Sequence, residues 1–190
     1  ASLAHPDITW IHVQGDPTPD LLHRLGAAFG LHLLALEDVI NTGQRPKYED
    51  YEQGLFLVLS LPLHHKDRID LIQASLFLGE RFVISFVHGA YDPFEPVRQR
   101  LRRPETRLRQ HGADLLLHAL IDALIDRGFP LLDSLGGEIE VLEEALLEKP
   151  TRDTLHRIHH LKRELLLLRR VLWPQREMLS TLTRSEPALI

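Results

Sequence analysis

The chain has 190 residues, of which 44% are hydrophobic and 26% are charged, so it can bury a sizeable core in one or two domains. Its net charge of −5 argues against general nucleic-acid binding, because contacts to a phosphate backbone require an excess of basic residues. The absence of cysteine excludes disulfides, thiolate metal sites and cysteine nucleophiles.

The first part of the chain predicts one strand followed by two helices. Residues 8–13 are rich in β-branched and aromatic side chains, which indicates a strand. Thr18 and Pro19 have the character of an N-cap and a first-turn proline, and they predict a helix that ends near Gly30. A second, shorter helix is predicted over residues 34–40, before an Asn-Thr-Gly breaker.

Three strands and a short helix are predicted next. The strands cover residues 55–61, 71–78 and 81–87, and a polar connection covers residues 62–70. Gly79 and Glu80 are predicted to form a two-residue turn, since glycine at the first turn position suits a type II′ hairpin. The strands on either side of this turn should therefore be antiparallel neighbours. A basic helix is predicted over residues 97–103, after two X-Pro pairs.

The second half of the sequence predicts a long antiparallel helical hairpin. Apolar residues recur in alternating steps of three and four from Leu132 to Leu146 and again from Ile158 to Leu172, as in a coiled-coil seam. Pro150 interrupts the two runs, and the chain is predicted to reverse there because proline is not tolerated inside a helix. The arms should have about 35 and about 30 residues, or about 50 and 45 Å of helix.

Two further predictions concern membrane-spanning segments and Trp173. No apolar run approaches the roughly 18 to 20 residues of a membrane-spanning helix, so a soluble, intracellular-type polypeptide is expected. Trp173 precedes Pro174 in the second arm, where a kink is predicted, and we expect its side chain to pack in a core.

A series of segments along the chain forms a specific pattern. The most specific block is Leu36-Glu37-Asp38-Val39-Ile40-Asn41 followed by Gln44-Arg45-Pro46-Lys47; further segments of the series are residues 55–59, 82–86, 92–98, 113–123 and 161–177. In this order the segments resemble the CorA family of divalent-cation transporters. The resemblance covers nearly the whole chain. Family members continue into a stalk helix, two membrane helices and a Gly-Met-Asn signature, which this sequence lacks. We therefore expect a piece of a longer transporter, and a naturally soluble relative is the alternative.

The resemblance implies both a fold and a function. The implied fold is mixed α+β or α/β: a mixed sheet packed with helices in an α/β/α sandwich over residues 1–106, then the helical hairpin over residues 107–190. The implied function is that of a cytoplasmic regulatory domain of a Mg²⁺/Co²⁺ transport channel, at the inner face of the membrane. It would act as a homopentamer, reach the membrane only through the absent C-terminal helices, and conduct no ions by itself.

Glu37 and Asp38 are the first candidate metal ligands. They are consecutive carboxylates near the end of a predicted helix, where negative charge is unfavourable unless a cation compensates it. In the family, the matching pair contributes to a regulatory site between neighbouring subunits, and the resemblance adds Asp122 as a third ligand. Regulatory Mg²⁺ suits these oxygen donors, and Co²⁺ or other divalent cations could substitute. Surface acids are the structural alternative for Glu37 and Asp38. For Asp122 the alternative is a partly exposed acid, or a buried one bonded to arginine or to the backbone.

Other interpretations of the sequence stay open. His156 and His160 lie four residues apart on one predicted helical face and could chelate zinc, although histidines on a polar face are the ordinary interpretation. The whole chain could belong to a ZntB-like zinc transporter, which shares the architecture, or to a soluble coiled-coil interaction protein. No catalytic motif is present, so we do not expect an enzyme.

Overall fold

The computed structural model describes residues 8–65, 68–149 and 151–185. The strands in this part of the chain are β1 (Thr9–Gln14), β2 (Lys47–Tyr51), β3 (Gly54–His65), β4 (Arg68–Gly79) and β5 (Phe82–Val87). The helices are α1 (Pro19–Phe29), α2 (Leu33–Ile40), α3 (Glu95–Arg102), α4 (Arg107–Gln110), α5 (Ala113–Asp126), α6 (Phe129–Glu148) and α7 (Arg152–Ser185).

The five strands form one mixed sheet in the order β1-β5-β4-β3-β2. β1 runs parallel to β5, with Trp10 opposite Val83, and the other neighbours are antiparallel. Because successive side chains in a strand point to opposite faces, β3 and β4 supply apolar residues to both sides of the sheet. Both faces must therefore be covered by other elements.

Helices cover the sheet on both faces. Packed on one face are α3, α4, α5 and the end of α7, through Val97, Leu108, Leu117, Leu120, Met178 and Leu182. Packed on the other face are α1 and α2, through Leu22, Leu25, Ala35, Leu36 and Val39. Each large apolar side chain that is fully buried here contributes about 1.5–3 kcal/mol. This arrangement confirms the predicted α/β/α sandwich.

Local signals set the ends of α1 as predicted. The Thr18 hydroxyl accepts a hydrogen bond from the Leu21 amide at 3.3 Å, and Pro19 lies in the first turn. Gly30 ends the helix in the left-handed region, with φ of 68°, and its amide donates to the Gly26 carbonyl. Glycine adopts this conformation without the steric cost that a Cβ atom imposes.

The sheet differs from the prediction in three places. The connection predicted over residues 62–70 is wrong, because β3 continues to His65 and β4 begins at Arg68. The turn between β4 and β5 consists of residues 80 and 81, since Gly79 is the last residue of β4 and pairs with Phe82. A Cβ atom at residue 79 would collide with the Phe82 ring, which explains the glycine. Strand β2 was not predicted.

The helical hairpin is formed by α6 and α7, which share a buried apolar cluster that includes Leu135, Leu142, Leu161 and Leu168. Pro150, at the predicted reversal, lies outside the described residues. α7 is a single helix of 34 residues through Pro174, and Trp173 is 59% exposed, so its predicted core packing is wrong. Among the described residues, no helix combines the length and apolar character needed to cross a bilayer.

The first predicted arm of the hairpin is two helices, and the prediction of one helix of about 35 residues is wrong. α5 ends at Asp126 and α6 begins at Phe129. Glycine has a low helix propensity, and the Gly128 amide donates to the Ile125 carbonyl, three residues back, at 2.9 Å. Pro130 has no N–H that could continue the hydrogen-bond pattern of α5. Because α5 is separate from α6, it packs on the sheet. The domain boundary at residue 106 stays a prediction.

Candidate functional site

The predicted acidic pair lies in the last turn of α2. Buried Leu36 and Val39 fix this helix against the sheet, and the Asn41 amide donates to the Glu37 carbonyl at 3.0 Å to close the turn. The side chain of Glu37 is exposed to solvent. That of Asp38 is only 17% exposed, because it faces strand β2. The two neighbouring carboxylates therefore have different surroundings.

Lys47 supplies positive charge to this helix end. Its Nζ atom lies 2.7 Å from Oδ2 of Asp38 and 2.8 Å from Oε1 of Glu49. Partial burial disfavours the charged ammonium, but the hydrogen bonds to the two carboxylates outweigh it and raise the pKa of Lys47. For Asp38, the compensation that an acid at a helix C-terminus requires thus comes from Lys47.

Glu49 is held by a second donor on the same strand. The Tyr51 hydroxyl donates to Oε2 of Glu49 at 2.5 Å. Burial alone would raise the pKa of Glu49, but the hydrogen bonds from Lys47 and Tyr51 lower it below its ordinary value. Burial, and then the bond to Glu49, raises the pKa of Tyr51 to about 12. Asp38, Lys47, Glu49 and Tyr51 thus form one chain of hydrogen bonds.

Two buried polar side chains fix the backbone of the acidic turn. Gln73 donates from Nε2 to the Asp38 carbonyl at 2.7 Å and accepts from the Gln44 amide at 3.1 Å. His88 lies with Nε2 2.7 Å from the Val39 carbonyl and Nδ1 2.9 Å from a carboxylate oxygen of Asp16. Neither was predicted, because each is far in sequence from α2 and no local pattern singles it out.

Asp122 lies on α5, away from the acidic pair. Its side chain is 54% exposed, and one oxygen is 3.2 Å from Nδ1 of His118 on the preceding turn. It lines a shallow surface pocket together with Asp126, Arg100 and Arg127. The structure thus places Asp122 at the surface, where a second molecule can approach it.

The structure does not bring the three predicted ligands together in one chain. α2 packs on one face of the sheet and α5 packs on the other, so Glu37 and Asp38 are separated from Asp122 by the sheet. The described residues contain no group of three or more His, Asp or Glu side chains able to hold a metal. The carboxylate oxygens of Glu37, Asp38 and Asp122 fit Mg²⁺, which needs only one or two carboxylates because it keeps bound water.

Of the two candidate zinc ligands on α7, His160 lies beside a carboxylate of the same helix. Nε2 of His160 lies 3.9 Å from Oε1 of Glu164, and the other oxygen of Glu164 accepts from the Ile69 amide at 2.9 Å. His156 is exposed one turn earlier. In the part of the chain that is described, no third side chain completes a site with them, so the zinc interpretation gains no support.

The fold is similar to that of two solved domains of metal-ion transporters. The soluble domain of CorA from Methanocaldococcus jannaschii matches with a TM-score of 0.81 at 19% identity, over 95% of this chain and 72% of that one. The ZntB cytoplasmic domain from Vibrio parahaemolyticus matches with a TM-score of 0.72 at 19% identity, over 95% of this chain and 70% of that one. At these identities the matches show the fold alone.

The sequence identifies the family. The sequence model of the family described as "CorA-like Mg2+ transporter protein" matches residues 6–189, and the chain belongs to this family. It is 44% identical over 184 residues to the cobalt/magnesium transport protein CorA of Thermotoga maritima, covering 96% of this chain and 52% of that protein. It is 29% identical over 175 residues to the putative metal ion transporter YfjQ of Bacillus subtilis, covering 92% and 54%. The chain thus spans about half the length of these relatives, and the predicted resemblance is confirmed.

Proposed function

We propose that the chain is the cytoplasmic, divalent-cation-sensing part of a Mg²⁺/Co²⁺ transport channel, whose pore is built by segments beyond this sequence. Family membership over residues 6–189 and the 44% identity to a cobalt/magnesium transport protein support the assignment to transport. The observation behind the sensing role is the pair of carboxylates at the end of α2, held against the sheet by Leu36 and Val39, together with the exposed Asp122 on α5. Because the sheet separates the pair from Asp122, the three carboxylates could share an ion only between copies of the chain.

The proposed switch follows from the charges. Carboxylates of two subunits that face each other repel, and a divalent cation between them replaces repulsion with attraction. Bound Mg²⁺ would therefore favour the closed arrangement of the proposed homopentamer, and its loss would loosen the contact. Exposed apolar side chains on α7, including Leu155, Leu166 and Trp173, support burial of this helix against another copy or segment.

The experiment measures transport by the intact channel in vesicles as a function of internal Mg²⁺. We expect Asp38→Asn and Asp122→Asn to raise the internal Mg²⁺ concentration that halves transport. Asp133→Asn, which changes an exposed acid on α6, serves as the matched control and should leave it unaltered. If both site variants respond to internal Mg²⁺ as the wild type does, the sensing role is wrong.

Zinc transport is a second candidate, because the fold also matches a ZntB cytoplasmic domain with a TM-score of 0.72. The same vesicles distinguish the two functions when Mg²⁺, Co²⁺ and Zn²⁺ are compared as transported ions. Uptake of Mg²⁺ or Co²⁺ supports the first function. Uptake of Zn²⁺ alone overturns it in favour of the second.

A further inference from the structure

Lys47 binds the acidic residue that the proposed sensor requires. Its ammonium contacts Asp38 at 2.7 Å and Glu49 at 2.8 Å, and the three side chains are 31%, 17% and 34% exposed. The ammonium therefore occupies the space next to Oδ2 of Asp38 that an external cation would need. A divalent ion that binds Oδ2 of Asp38 therefore competes with a cation that belongs to the protein.

The geometry of β2 provides a second place for the ammonium. Lys47, Glu49 and Tyr51 alternate along the strand, so their side chains share the face that is turned toward α2. The Tyr51 hydroxyl holds the other oxygen of Glu49 at 2.5 Å, so Glu49 stays in position whatever happens at Asp38. Lys47 can leave Asp38 and still keep one ion pair.

We propose that Lys47 is an intramolecular competitor of Mg²⁺ for Asp38, and that Glu49 is the carboxylate that retains the displaced ammonium. This inference rests on the proposed function, because it concerns how the same sensor is tuned. In the metal-free state Lys47 neutralises Asp38 and preserves the shape of the acidic turn. In the metal-bound state the divalent ion takes over Asp38, and Lys47 remains paired with Glu49.

This exchange weakens the affinity for the ion in a controlled way. The ion gains the attraction of Asp38 but must break one of the two contacts of Lys47, so the net gain is smaller than for a free carboxylate. A sensor of an abundant cellular cation needs such modest affinity, since a tight site would stay saturated. Lys47 thus sets the concentration at which the sensor responds, while the carboxylates decide which ion binds.

Substitutions of the two partners of this ion pair should act in opposite directions. Lys47→Met removes the competitor and should strengthen Mg²⁺ binding by about two- to fivefold, the effect expected of one partly exposed ion pair. Glu49→Gln removes the alternative carboxylate, leaves Lys47 with Asp38 alone, and should weaken binding. Lys47→Arg keeps the charge and is the conservative control. A merely structural role for the lysine would shift both variants in the same direction.

The experiment uses hydrogen–deuterium exchange, read by mass spectrometry, on the intact channel titrated with MgCl₂ at constant ionic strength. The readout is the Mg²⁺ concentration that half-protects the amides of residues 33–49 and 113–126, which requires no transport. We expect a lower midpoint for Lys47→Met, a higher one for Glu49→Gln and an unchanged one for Lys47→Arg. Thermal unfolding checks that each variant folds, and Glu49→Gln decides the question by itself if Lys47→Met does not.

Failure of the inference and failure of the proposed function give different results. If the wild type is protected by Mg²⁺ and Asp122→Asn abolishes this, the sensor stands. An unchanged or raised midpoint for Lys47→Met, or an unchanged or lowered midpoint for Glu49→Gln, then overturns the competitor role alone. If Mg²⁺ protects neither segment of the wild type, the proposed sensor and the role of Lys47 are both wrong.

Discussion

The side-chain nitrogen of Gln73 lies 2.7 Å from the main-chain oxygen of Asp38, and this contact ties the last turn of α2 to the centre of the sheet. The same side chain accepts from the Gln44 amide at 3.1 Å, so it also fixes the loop that follows the helix. Gln73 is 5% exposed, and water cannot easily replace it. Gln73 therefore helps, together with His88, to fix the position of the acidic pair relative to the sheet.

The first prediction concerns the side-chain amide of Gln73. Gln73→Leu leaves the Asp38 carbonyl and the Gln44 amide without their partner, and an unsatisfied buried group costs about 1–3 kcal/mol. We expect the free energy of unfolding to fall by that amount in urea denaturation followed by circular dichroism. Gln99→Leu on α3, where the glutamine is exposed, is the control and should change stability by less than about 0.5 kcal/mol. Equal effects of the two substitutions would contradict the role of Gln73.

A second prediction compares two serines that are both fully buried, Ser75 on β4 and Ser85 on β5. The Ser75 hydroxyl has no hydrogen-bond partner among the described residues, whereas Ser85 accepts from the Trp10 indole at 3.0 Å and contacts Nδ1 of His12 at 2.9 Å. Ser75→Ala should leave stability unchanged or raise it by up to about 1 kcal/mol, because it removes an unpaired polar group.

Ser85→Ala should instead lower the free energy of unfolding by about 1–3 kcal/mol, because the Trp10 and His12 groups lose their shared partner. The two substitutions remove the same atom at similar burial, so the difference between them isolates the hydrogen bonds. Thermal unfolding of the two variants side by side is the measurement. A loss for Ser75→Ala as large as that for Ser85→Ala would show that cavity formation dominates.

Elements with local signals were predictable from the sequence. α1 carried its own N-cap at Thr18 and its left-handed C-cap at Gly30, and the hairpin carried a regular apolar spacing. β2 was missed because it is a short, polar edge strand whose pattern becomes visible only opposite β3. The break between α5 and α6 was signalled by Gly128 and Pro130, but the leucine-rich pattern around them outweighed that signal.

The candidate site was predictable only in part. The helix-end argument favours a cation beside Glu37 and Asp38, and metal binding there stays a prediction. In the described chain the cation that contacts Asp38 is Lys47, nine residues later. Side chains alternate along a strand, so a strand predicted over residues 47–51 would have placed Lys47 and Glu49 on one face. Because β2 was not predicted, the contact between Lys47 and Glu49 was not predicted either. Gln73 and His88 reach the acidic turn through tertiary packing alone, which a single sequence does not encode locally.

A third prediction concerns acid pH and Asp92. Its carboxylate accepts from the Phe94 amide at 2.9 Å and pairs with Arg98. Partial burial opposes ionisation, but these two donors outweigh it and lower the pKa of Asp92. A lowered folded-state pKa gives stability that is present above the ordinary value and is lost as the pH falls through the folded-state value.

Asp92→Asn should therefore reduce the free energy of unfolding at neutral pH. As the pH falls from about 5 to about 2, the free energy of unfolding should decrease less in this variant than in the wild type. Urea denaturation at several pH values measures both effects. Asp133→Asn, an exposed acid on α6, should leave the acid limb as it is in the wild type. An unchanged slope in Asp92→Asn would mean that the Arg98 pair does not contribute to acid sensitivity.

The fourth prediction concerns alkaline pH and the hydrogen-bonded chain on β2. Burial and the bond to Glu49 raise the pKa of Tyr51 to about 12, so the folded state favours the neutral phenol. A raised pKa gives stability that is complete below the ordinary value and is lost as the pH rises from about 10 to about 12. The raised pKa of Lys47 acts in the same direction, because its ion pairs also disappear on deprotonation.

Tyr51→Phe should therefore unfold with a shallower alkaline decline, and absorbance at the tyrosinate band should lose its component near pH 12. Tyr48→Phe, which changes the opposite face of β2, is the control and should retain that component. Because Tyr51 holds Glu49, the loss of its proton also frees the carboxylate that pairs with Lys47. If the tyrosinate absorbance of the wild type is complete near pH 10, the Tyr51 phenol is not held by Glu49. Tyr51 would then not keep Glu49 in position as the second partner of Lys47.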